Sequence, residues 1–84
     1  MKVRIVVAGR GYDAEHRLPP DLELAAGATV RDALDRLAGG LDLPKTCLLI
    51  VSGVHLGTLG GYADQELKEG DEILFLAPVA GGGY

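Results

Sequence analysis

The chain has no tryptophan, one phenylalanine, one methionine and one cysteine among its 84 residues. A single cysteine, Cys47, excludes an intrachain disulfide and a multi-cysteine metal site. With one Phe and three Tyr, the core has to be built from Val, Ile, Leu and Ala, and such a core holds only if it is closely packed. Cations are also scarce. Eight Lys and Arg against twelve Asp and Glu leave a net charge of −4, which argues against nucleic acid, because phosphate binding relies on clustered basic side chains. No apolar run approaches the roughly 20 residues of a membrane-spanning helix. Met1–Ile5 is too short, and too interrupted by Arg4, for a secretory signal, so the expected location is the cytoplasm. Catalytic signatures are missing too: there is no Ser-His-Asp set, no zinc-ligand spacing and no close carboxylate pair in contrasting surroundings. The chain is expected to be no enzyme, with no catalytic residue, no metal and no bound cofactor.

The composition that remains, 48% hydrophobic and 24% charged, is that of one small globular domain, burying roughly 60–65% of its unfolded surface. Val3, Ile5 and Val7 alternate with Lys2, Arg4 and Val6, which predicts a first strand with one buried face. Gly9-Arg10-Gly11-Tyr12-Asp13-Ala14 then matches the dinucleotide fingerprint G-x-G-x-x-A. That motif works only where a helix starts, its N-terminus under a pyrophosphate. Here Pro19-Pro20 follow closely and no helical stripe begins; the glycines read as a connection. His16, alone in Asp13–Arg17, reads as a solvated loop residue.

Leu22 and Leu24 flank Glu23 as a short second strand. Thr29 is a good N-cap, and Asp32 three positions on completes a capping-box pattern. Val30, Ala33, Leu34, Leu37 and Ala38 recur at helical spacing, with Gly39-Gly40 as the stop, so one amphipathic helix of about ten residues is predicted. Cys47–Val51 is an apolar run of strand length, where a thiol is expected to be buried and inert. Ser52-Gly53 turns the chain into a brief strand at Val54-His55-Leu56, with His55 exposed. Gly57, Gly60 and Gly61 bracket Thr58-Leu59, an expected flexible or tightly turning loop; Asp64–Lys68 is an expected single helical turn with Leu67 inward, and Glu69-Gly70-Asp71 a turn. One helix on one face of a mixed sheet of four to five strands is the economical two-layer α+β solution.

Glu72–Leu76 reads as a last strand, apolar on both faces: Ile73 and Phe75 to one side, Leu74 and Leu76 to the other. Pro78 cannot donate to a sheet ladder and is a natural stop. Gly81, Gly82 and Gly83 follow, then Tyr84. Ordering each such residue costs roughly 1–2 kcal/mol with no side chain to bury in return, so the body is expected to span 1–77 and residues 78–84 to form a flexible tail. A frayed end is the plain account. The functional one is a thin arm that threads a narrow channel and offers a glycine carboxylate as substrate. Burying the Tyr84 ring is worth at most about 4–6 kcal/mol, comparable to the cost of ordering four tail residues, so self-docking is not favoured.

The run Glu69–Gly82, and above all Pro78-Val79-Ala80-Gly81-Gly82, resembles the end of the small ubiquitin-like sulfur carriers, the molybdopterin synthase small subunit and the thiamin-pathway carrier. The ending is closer to the molybdopterin type. The resemblance implies a β-grasp fold and a terminal glycine (Gly82, with Gly83 and Gly81 as alternatives) that an E1-like enzyme adenylates with ATP and that becomes a thiocarboxylate. It implies further partners: a sulfur-accepting enzyme or synthase large subunit, docked through Leu74, Leu76, Pro78 and Val79. The chain departs from that pattern in carrying Gly83-Tyr84 beyond Gly-Gly, so a peptidase that removes Tyr84, or Gly83-Tyr84, is implied as well. Two other roles stay open: a protein modifier joined through the processed glycine, and a non-covalent binding subunit that keeps its tail.

Overall fold

The computed structural model describes residues 1–8, 18–37 and 43–77. In chain order they form β1 (Lys2–Ala8), β2 (Asp21–Glu23), α1 (Val30–Leu37), β3 (Leu48–Val51), β4 (Val54–Thr58), β5 (Gly61–Tyr62) and β6 (Glu72–Leu76). The strands make one mixed sheet in the order β2-β1-β6-β3-β4-β5. Its centre is a parallel pair, β1 with β6, from Arg4 opposite Glu72 to Ala8 opposite Leu76. Every other pairing is antiparallel. A mixed sheet with one described helix is the β-grasp arrangement expected from the sequence, with six strands rather than four or five.

Side-chain alternation divides the sheet into two faces. Toward α1 point Val3, Ile5, Leu49, Val51, Ile73 and Phe75, all buried, against Val30, Ala33 and Leu37 of the helix. Register stacks them in cross-strand rows: Ile5 beside Ile73 and Val51, and Val7 beside Phe75 and Leu49. Burying each of these side chains contributes about 1.5–3 kcal/mol. Phe75, the only phenylalanine, lies at the middle of its row, fully buried.

The helix begins where the capping pattern put it. The Thr29 N–H donates to Asp32 Oδ2 at 2.9 Å, and the Asp32 N–H donates to Thr29 Oγ1 at 3.3 Å. The two N–H groups before Asp32 are satisfied from elsewhere: Val30 donates to the Gln65 carbonyl at 2.9 Å and Arg31 to Asp64 Oδ1 at 3.0 Å. All the free donors of the first turn thereby find acceptors.

That requirement corrects one expectation. Residues 64–68 form no helical turn; they run extended past the helix start, where Glu66 bridges Thr29 and the Leu67 N–H donates to the Ala28 carbonyl at 2.8 Å. Leu67 does point inward, 2% exposed. Of the flexible or tightly turning loop expected near Thr58-Leu59, the structure has the tight turn: β4 continues through Gly57 and Thr58, and Leu59-Gly60 turns the chain back so that Gly61-Tyr62 pairs with it. Ala38 and Gly39-Gly40, the expected helix end, lie outside the described residues, as do the glycine connection Gly9–Ala14 and His16.

Candidate functional site

The sheet face turned away from α1 carries a second set of rows. Val6, Leu74 and Ile50 are cross-strand neighbours on β1, β6 and β3, and so are Ala8, Leu76 and Leu48. All six are half-buried, and the five large ones lie outside the set packed on the core. On β4, exposed His55 continues the first row beside Ile50 and Thr58 the second beside Leu48. The next row, at the opposite end of β6, is polar: Asp21, Arg4 and Glu72. The open face is thus apolar in the half where β6 leads toward residues 78–84, and charged in the other.

The charged end is tied down by hydrogen bonds. Ser52 and Gly53, both at positive φ (47° and 87°), form the two-residue turn between β3 and β4, the hairpin geometry that matches strand twist. The Ser52 hydroxyl donates to Asp71 Oδ1 at 2.7 Å and accepts from the Glu72 N–H at 3.2 Å, while the Ser52 N–H donates to the Glu72 carbonyl at 2.8 Å. The start of β6 is therefore fixed to the hairpin tip. At its other end the Ala77 N–H donates to the Ala8 carbonyl at 2.7 Å, so the pairing of β1 and β6 persists to the last described residue.

Of the residues expected to carry function, Leu74 and Leu76 sit side by side along β6 on this open face. Pro78, Val79, Gly81, Gly82, Gly83 and Tyr84 lie outside the described residues. Sequence reasoning named only the β6 members of the face. Val6, Ala8, Leu48 and Ile50 escaped it, although the unbroken apolar run 47–51 already signalled a strand with two apolar faces.

Cys47 stands outside this site. It is fully buried at the end of β3, and burial pushes its thiol pKa up, the opposite of what a reactive thiolate needs. The Tyr62 phenol is raised as well, first by burial, then by Asp64 and Asp35 against the lowering effect of Arg31. Among the described residues no three His, Cys, Asp or Glu side chains are placed to hold a metal, and no helix is long and apolar enough to cross a membrane.

Curated proteins and solved structures give no match to the chain. The model of the ThiS family matches residues 13–82, most of the chain and a span that stops at Gly82. Members of that family are small ubiquitin-like sulfur carriers, not catalysts, and they work with E1-like adenylating enzymes and sulfur-accepting enzymes. A mixed sheet of six described strands with one described helix on its inner face, a last described strand leading to a glycine-rich end and a family match over residues 13–82 agree on one conclusion: the chain belongs to the ThiS family of ubiquitin-like sulfur carriers.

Proposed function

We propose that this carrier works through a glycine carboxylate at Gly82 (or Gly83), exposed when a peptidase removes Gly83-Tyr84 or Tyr84 alone. The body, 1–77, is a handle; the processed arm, from Pro78 to the freed glycine, enters the partner's active site. The carboxylate attacks the α-phosphate of ATP held by an E1-like enzyme, pyrophosphate leaves, and the acyl adenylate is opened by a sulfur nucleophile with loss of AMP. The product is a thiocarboxylate that a sulfur-accepting enzyme consumes. The Pro78-Val79-Ala80-Gly81-Gly82 ending favours cofactor synthesis of the molybdopterin type over the thiamin type.

The observation that carries this reading is the apolar half of the open face. Leu74 and Leu76, with Val6, Ile50 and Leu48 beside them, form a contiguous apolar surface at the end of the sheet from which the arm departs. Such surfaces mark docking sites, and a partner seated there would receive the arm directly, with Pro78 and Val79 at the junction.

Intact mass spectrometry tests the proposal. A chain ending at Gly82, incubated with the E1-like enzyme of its host, ATP and a sulfur donor, should release pyrophosphate and gain the mass of one sulfur-for-oxygen exchange. If protein isolated from its host still ends at Tyr84 under all conditions while remaining active, the carrier chemistry at Gly82 is wrong. Recovery of the processed chain amide-linked to lysines of other proteins would assign it to protein modification instead.

A further inference from the structure

The charged end of the open face holds a groove of about 740 Å³ whose walls include Lys2, Arg4, Asp21, Glu69 and Glu72. Most of its charges are committed. Lys2 Nζ pairs with Asp21 at 3.7 Å, and Glu69 Oε1 accepts the Lys2 N–H at 3.0 Å. Neighbouring Asp71 takes the Ser52 hydroxyl on one oxygen and the Lys68 N–H at 2.8 Å on the other. Arg4 and Glu72 remain. They face each other in register across β1 and β6, yet among the described residues neither side chain has an ion-pair partner within 4.0 Å. Directly beside them begins the row Val6, Leu74, Ile50.

We infer that Arg4 and Glu72 select the docking partner: the open face takes a protein whose own apolar patch is bordered by an acid and a base, the acid meeting Arg4 and the base meeting Glu72. The inference rests on the open face being the docking surface proposed above, and it names which partner surfaces that face accepts. A partner that covers the apolar rows also takes water from Arg4 and Glu72. Removing water from a charge is costly unless an opposite charge replaces it. A merely apolar partner surface therefore binds poorly, and one with the reversed charge order is repelled. The complementary surface is drawn in, because opposed charges steer encounter and fix register. A flat sheet face with five large half-buried apolar side chains beside the groove suits a protein surface, not a small molecule. The net charge of −4 turns nucleic acid away.

The test is the binding kinetics and adenylation of the chain ending at Gly82 with the E1-like enzyme of its host, for Arg4→Gln, Arg4→Glu, Glu72→Gln and Leu74→Ser, each checked for an unchanged melting temperature. Arg4→Gln and Glu72→Gln should weaken binding about tenfold, mostly through slower association, and Arg4→Glu further still. The differences should shrink on moving from about 0.05 M to about 1 M salt, where the screening length falls to roughly 3 Å. If the Arg4 and Glu72 variants bind within twofold of the parent while Leu74→Ser does not, the charge selection is overturned and the docking face stands. If Leu74→Ser also binds normally and adenylation proceeds, docking occurs elsewhere and the inference falls with the face. If a chain ending at Gly82 is never adenylated, the carrier proposal itself fails.

Discussion

A Cβ on Gly57 would stand 2.5 Å from the carbonyl oxygen of Gly61. The two backbones close the edge of the sheet only because no side chain lies between them, and Gly57 adopts φ of 132°, a region L-residues rarely occupy. Gly57→Ala should therefore destabilise the protein by about 1–3 kcal/mol. Gly61→Ala, where an added Cβ meets nothing within 4 Å, is the control and should stay within about 0.5 kcal/mol. Urea midpoints with unchanged slopes would measure both, and equal effects would refute the close-approach explanation.

This glycine also shows where sequence reasoning stops. Three glycines within Gly57–Gly61 signal a loop by composition, because what makes Gly57 necessary is a neighbour across the strand that no local pattern reveals. Asp64–Lys68 misled for a related reason. Its spacing suited a helical turn, but the Gln65 carbonyl and the Asp64 carboxylate are needed by the free N–H groups of Val30 and Arg31, more than thirty residues earlier. Local signals were sufficient where the physics is local: Thr29 with Asp32 three positions on, Ser52-Gly53 at a hairpin, Ile73 and Phe75 alternating with Leu74 and Leu76. The open face was half legible. Its apolar β6 members declared themselves by alternation, but Arg4 and Val6 reach Glu72 and Leu74 only through the parallel pairing of the first and last strands, and Ile50 reaches Leu74 only through the antiparallel pairing of β3 with β6.

The capping box gives a second prediction. Thr29 supplies an acceptor for the Asp32 N–H and Asp32 one for the Thr29 N–H. Thr29→Ala removes the first and should cost about 1 kcal/mol, with Thr29→Ser restoring most of it because the hydroxyl returns. Chemical denaturation of the three proteins measures this. A loss with Thr29→Ser as large as with Thr29→Ala would place the effect in the methyl group and not in the cap.

Cys47 predicts both reactivity and a pH dependence. Burial raises its folded-state pKa above that of the unfolded chain, so folding resists thiolate formation. The sign follows: stability is unaffected by this thiol below its unfolded pKa of about 8.5, and falls as pH rises above it, because the unfolded chain then releases the proton more readily. Tyr62, shifted in the same direction, adds to the fall above about pH 10. Iodoacetamide at pH 8 should leave the native protein unmodified and label it once in denaturant. Cys47→Ala should flatten the alkaline loss between about pH 8.5 and 10. Rapid labelling of the folded protein would show that the thiol is accessible after all.

Phe75 carries the last prediction, and with it the consequence of having so few aromatics. It is fully buried beside Val7 and Leu49, on the strand whose opposite face bears Leu74 and Leu76. Phe75→Ala removes the largest fully buried side chain among the described residues and leaves a cavity that its short aliphatic neighbours fill poorly, a loss of about 3–5 kcal/mol. Domains of this size hold about 5–15 kcal/mol in total, so much of the stability goes with one ring. Phe75→Leu, which keeps more of the volume, should recover most of it. Because inner and outer faces share one strand, the cavity should also loosen the open face, so Phe75→Ala is expected to weaken partner binding through a frayed β6 although Phe75 touches no partner. Amide exchange at Leu74 and Leu76 separates this from a direct effect. Faster exchange at both positions alongside weaker binding supports strand fraying, and weaker binding with exchange unchanged refutes it.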